Sequence, residues 1–129
     1  MPRLPVVLIS IALVACAPAT PALIREPVPA AEGTAVPLGK AVEVGAVAVE
    51  PLRIIEDSRC PADVTCAWAG RLVIEANIAA YGWAEITRLE LDEPYTTHAT
   101  TLRLAAAKPD RASDTAIAPE DYRFTFEAR

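Results

Sequence analysis

The sequence has few of the residue types from which most catalytic sites are built. It holds one histidine, His98, and three cysteines, Cys16, Cys60 and Cys66. It carries no HExxH pattern, no glycine-rich phosphate loop and no recognisable Ser-His-Asp arrangement. Carboxylates are plentiful, but on alternating segments they fall mostly on the solvent side. No proton-transfer pair can be named, so the expected role is non-enzymatic, with no catalytic residue, no metal and no cofactor. Basic charge is also short: 12 Lys and Arg against 17 Asp and Glu leave a net charge of −5. A chain of that balance lacks the electrostatic footprint for nucleic acid. Aromatic residues make up 5% of the chain, and all of them follow Cys66.

Long apolar runs are missing, with one exception at the start. Met1-Pro2-Arg3 supplies a positive charge, and Leu4 to Ala15 is apolar apart from Ser10. That run is shorter than the ~20 residues a membrane-spanning helix needs. A basic start followed by a short apolar core is the pattern of a secretory signal peptide, here residues 1–15. It ends in Leu13-Val14-Ala15-Cys16, which resembles the lipobox of bacterial lipoproteins. The resemblance implies cleavage after Ala15, a diacylglyceryl group on Cys16 and an acyl chain, such as palmitate, on the new terminus. Two or more acyl chains hold a protein firmly at a membrane where one does not. Ordinary cleavage after Ala17 would instead place Pro18 directly behind the cut and leave Cys16 without a purpose. In that family an Asp after the lipidated cysteine commonly retains the product at the inner membrane. Ala17 stands there, which implies the outer membrane, with the domain facing the periplasm.

Residues 16–37 follow as a lipidated cysteine and a proline- and alanine-rich tether, with Pro18, Pro21, Pro27, Pro29 and Pro37 stiffening the chain; the alternative is that part of it, residues 34–38, packs as an edge strand. Residues 38–129 form the expected domain. Its pattern has period two: Leu72, Ile74, Ala76 and Ile78 share one face and Arg71, Glu75 and Asn77 the other. Thr87, Leu89 and Leu91 alternate with Arg88 and Glu90, Leu102 and Leu104 flank Arg103, and Tyr122, Phe124 and Phe126 alternate with Arg123, Thr125 and Glu127. Val42 and Val44 differ in parity from Val47 and Val49, which puts a bulge or tight turn at Gly45. Pro51 suggests an edge position, and residues 108–120 read as a long loop with room for one helical turn. Six or seven short strands and no convincing helix predict an all-β fold, a small antiparallel β-sandwich or, alternatively, a small open barrel.

Cys60 and Cys66 remain once Cys16 carries lipid, and an even pair in an exported domain reads as a disulfide. Closing so short a loop contributes about 2 kcal/mol in the chain-entropy model. A zinc site is disfavoured by the five-residue gap and by the single histidine; a redox-active pair would have Cys-x-x-Cys spacing. Glu56, Asp57 and Asp63 are close in sequence but lack the ladder of a calcium loop. Asp57 is expected to cap the turn through Ser58 and Arg59, Arg59 to pair with a neighbouring acid, and Trp68 to pack beside the disulfide. The segment Asp57-Ser58-Arg59-Cys60-Pro61, a short gap, and Cys66-Ala67-Trp68-Ala69-Gly70, together with Tyr122-Arg123-Phe124 near the end, resembles a family of small, uncharacterised bacterial lipoproteins and exported proteins. The resemblance covers most of residues 38–129 and implies the domain boundary and the disulfide, but no activity.

Three roles then compete: a membrane-anchored binding module with an envelope-protein partner, a purely structural envelope protein, and an enzyme. The first fits best. The candidate contact residues are Tyr81 and Trp83, set in the predicted turn Tyr81-Gly82-Trp83. The competing role for Trp83 is to fold back over the end of a thin core.

Overall fold

The computed structural model describes residues 27–129, so the expected signal peptide and Cys16 lie outside the described residues. The alternating segments become seven strands: β1 (Val42–Val44), β2 (Val47–Asp57), β3 (Leu72–Ala80), β4 (Trp83–Glu90), β5 (Pro94–Thr96), β6 (Thr101–Lys108) and β7 (Arg123–Ala128). A single 3-10 turn at Pro119–Asp121 supplies the helical turn expected in the loop before β7. The strands pair antiparallel in two sheets, β1-β2-β3-β4 and β5-β6-β7. The fold is therefore all-β and sandwich-like, two antiparallel sheets that form no closed barrel among the described residues.

The core lies between the sheets, and the sequence alternation selects it. Ile74, Ala76 and Ile78 of β3 face Phe124 and Phe126 of β7 across a buried layer with Leu102 and Leu104 of β6. The valine parity change is a two-residue hairpin turn: Val44 pairs with Val47, and Gly45 between them has φ 58. A glycine adopts that conformation without steric cost, and its Cα approaches Ala128 and Thr100 closely enough to leave a side chain little room.

Two irregularities in β2 place the key polar residue. The pairing with β3 shifts by one residue between Pro51 and Arg53, and again between Ile54 and Glu56. Each bulge reverses which residues point inward. Val49 faces in, then Ile54, then Asp57, whose side chain is 8% exposed at the end of the core. Pro51 lies past the end of β1: its carbonyl accepts a hydrogen bond from Gly39 N at 2.7 Å. Its nitrogen therefore points to the same unladdered side, so no sheet bond is lost.

The packed part of the chain begins upstream of the Leu38 boundary. Ala30 bridges Val42, and Val36 exchanges backbone bonds of 2.9 and 2.8 Å with Phe124. Val36 is 1% exposed. Residues 30–36 thus run from the edge of one sheet to the edge of the other, while Leu91 bridges Leu104 at the opposite corner.

Candidate functional site

Residues 58–71 connect β2 to β3 at one end of the sandwich, and the structure clamps them at three levels. At the neck, Ser58 N donates to Arg71 O and Cys60 N donates to Ala69 O, both at 2.8 Å. These bonds extend the β2–β3 ladder past the strands. Gly70 sits there at φ 66, and a side chain at that position would overlap the Ser58 carbonyl. At the tip, the Cys60–Cys66 disulfide closes the loop with the Cα atoms 5.9 Å apart. At the side, the 109–118 loop braces it: Ala62 N donates to Arg111 O, Arg111 Nη1 donates to Arg59 O, and the Asp63 carboxylate accepts from Ser113 N at 2.9 Å and from its hydroxyl.

Beneath the loop lies a charged group of three. The Asp57 carboxylate accepts two bonds from the Arg59 guanidinium, at 2.8 and 2.7 Å, and one from the Tyr122 hydroxyl at 2.7 Å. Arg59 directs two further donors at the carbonyls of Ala107, at 3.0 Å, and Pro109, at 3.3 Å. Its side chain is 13% exposed. Burial pushes the Asp57 carboxyl up, but the bonds from Arg59 and Tyr122 outweigh it and hold the group below its ordinary range. Burial and then the bond to Asp57 push the Tyr122 hydroxyl up to about 12. The expected pairing of Arg59 with a neighbouring acid is this one, and Asp57 also accepts from Arg59 N at 3.4 Å, as a turn cap would.

One expectation fails. Trp68 does not pack beside the disulfide; it is 83% exposed, and Val64 in the same loop is 46% exposed. The residues flanking Trp68 are Thr65, Ala67, Ala69 and Gly70, and each is exposed. A short stapled loop of small residues has no apolar surface under which an indole could fold, and that composition was the available signal.

Tyr81 and Trp83 part company. Tyr81 stands fully in solvent at the tip of the β3–β4 hairpin. Trp83 packs partly against the core and meets the His98 ring edge-on, with centroids 5.4 Å apart. Strand β3 separates the Tyr81 turn from the Trp68 loop by ~27 Å at ~3.4 Å per residue, so the two exposed aromatics belong to different surfaces. The acids near Cys60 also separate. Glu56 holds Ser58 and Arg71, Asp57 holds Arg59 and Tyr122, and Asp63 holds Ser113. Among the described residues, no three His, Cys, Asp or Glu side chains converge on one point.

The fold and this loop define a small disulfide-stapled β-sandwich that presents a rigid aromatic loop. Set beside known proteins, the chain matches no family model, no curated protein and no solved structure.

Proposed function

We propose that this chain is a lipoprotein of the bacterial envelope, anchored at the outer membrane through lipid on Cys16, and that its sandwich binds an envelope protein through the Cys60–Cys66 loop. The observation that supports the reading is Trp68, an indole 83% exposed on a loop that is stapled and braced. An exposed tryptophan is among the side chains that contribute most when a partner buries it. A loop already held in one conformation loses little entropy on binding. The lipobox and the signal peptide support the location; the resemblance to small envelope lipoproteins is consistent with it and adds no activity.

The test places a photoreactive amino acid at position 68 in the full-length chain, with the lipobox intact, in growing cells. The expected result is one discrete adduct of defined mass that is lost when Cys60 and Cys66 are both replaced by serine. Tyr81 is the alternative contact and receives the same probe. An adduct at 81 and none at 68 moves the contact surface to the hairpin tip. Adducts at neither position favour the structural envelope role. Fatty-acid labelling tests the anchor: Cys16→Ser should lose the label and leave the membrane fraction.

A further inference from the structure

The edges of the two sheets are guarded unequally. Beside β1 lies the segment carrying Ala30, bonded to Ala41 and Glu43. Beyond β1, the flank of β2 that no strand covers carries Pro51, bonded to Gly39, and two bulges. The edge strand β7 is partly covered by Val36, and β5 is only three residues long. These are the devices by which natural sheets avoid adding strands. Among the described residues, strand β4 has no covering segment, proline or bulge; its guards are the charges of Glu85, Arg88 and Glu90. It is eight residues long, contains neither proline nor glycine, and pairs with β3 from Ala80↔Trp83 to Val73↔Glu90 without a register shift.

The pairing fixes which groups are free. Leu91 N donates to Leu72 O at 2.9 Å, so the odd-numbered residues of β4 direct their amides toward β3. Ala84, Ile86 and Arg88 therefore direct theirs outward, and all three residues are exposed. Among the described residues, no backbone bond from outside β3 reaches them. Ile86 adds an exposed apolar side chain at the middle of this edge, at 66% exposure.

We infer that the free edge of β4 pairs antiparallel with the β4 of a second copy of this chain, about a two-fold axis at Ile86, joining the two four-stranded sheets into one. The occupant follows from self-complementarity. Centred on Ile86, the register sets Ile86 against Ile86 of the second copy, Ala84 against Arg88 and Glu85 against Thr87. It buries the two exposed isoleucines on each other and places no like charges opposite. The outward N–H groups of Ala84, Ile86 and Arg88 then donate to the carbonyls of Arg88, Ile86 and Ala84 of the second copy, as hydrogen-bonded pairs. Registers centred on Glu85 or Arg88 set carboxylate against carboxylate or guanidinium against guanidinium, which is unfavourable. An isologous pairing of this kind closes at two copies and does not propagate. The inference is independent of the Trp68 surface, which lies beyond the ends of β2 and β3 and not along this edge.

Cysteine trapping in the full-length chain, in cells, tests it. At the axis the two Ile86 Cα atoms would lie ~5.5 Å apart, within the span of a disulfide. Ile86→Cys should give a reducible homodimer on a non-reducing gel. Tyr81→Cys is the control: its side chain is fully exposed, but its two copies would stand ~34 Å apart in this register. Equal trapping at both positions, or none at Ile86→Cys, overturns the inference. So does an Ile86→Cys adduct with a different protein and no homodimer, which would assign the edge to another partner. As a second measurement, two differently tagged full-length copies are co-expressed and one is isolated. Ile86→Lys, which sets two cations at the axis, should lower recovery of the other copy at least tenfold, while Tyr81→Lys leaves it unchanged. Unaltered recovery with Ile86→Lys overturns the pairing.

Discussion

Replacing Arg59 by alanine removes both guanidinium bonds from a carboxylate that is 8% exposed. The Tyr122 hydroxyl remains, but one neutral donor does not balance a carboxylate so little exposed. The carbonyls of Ala107 and Pro109 lose their donors as well. An exposed pair contributes ~0–1 kcal/mol and breaking a fully buried one costs ~3–5 kcal/mol; this partly buried pair, with two charge-assisted bonds, falls between them at about 2–3 kcal/mol, still a large share of the ~5–15 kcal/mol net stability of a small domain. At ~5 °C per kcal/mol for a chain of this size, Arg59→Ala should lower Tm by roughly 10–15 °C. Thermal and urea unfolding of the oxidised, unlipidated mature chain at pH 7, followed by circular dichroism, measures it. The sign of the pH dependence follows from the direction of each shift. Asp57 is held below its ordinary value, so its stabilisation is complete above the unfolded-state value of ~3.9 and is lost as pH falls through the folded one. Tyr122 is raised to about 12, so its contribution is complete below an unfolded-state value of ~10 and is lost as pH rises through about 12. Arg59→Ala should therefore flatten the acid limb of the stability curve. A loss under ~1 kcal/mol at pH 7, the range of a surface pair, would show that water solvates this group and refute the reasoning.

Tyr122→Phe deletes one bond to a charged acceptor and should cost ~1.5–3 kcal/mol, read from the same urea curves. Gly70→Ala forces a side chain onto the Ser58 carbonyl at φ 66; it should open the neck of the loop, seen as faster amide exchange at Ser58 and Cys60, whereas Gly82→Ala, which meets nothing nearby, should leave those amides protected. Trp68→Ala should change stability by no more than ~0.5 kcal/mol, as exposed substitutions do, while Trp83→Ala should cost ~2 kcal/mol or more because that ring packs on the core. Equal losses at the two tryptophans would contradict the burial described above.

The strands were legible because a sandwich buries one face of each strand, and that requirement writes itself into the chain as period-two alternation. Leu72 to Ile78, Leu102 with Leu104, and Tyr122 to Phe126 all point as their spacing demands. The disulfide was legible from an even cysteine pair in a chain read as exported. Other features depend on residues distant in sequence. Val36 falls in the segment read as tether, with an edge strand at residues 34–38 as the alternative; the neighbouring β7 edge at Phe124 selects that alternative and draws Val36 into the core. Asp57 is turned inward by two bulges that exist only through pairing with β3, and its partner Tyr122 lies 65 residues away. Trp68 was expected beside the disulfide because tryptophans in stapled sandwiches pack there, a precedent that does not say whether any apolar surface lies within reach of this one. Local composition and periodicity thus determined which segments form strands and which cysteines join. The tertiary structure decided which edge stays open, which carboxylate turns inward and which tryptophan faces water, because each depends on what the rest of the chain places beside it.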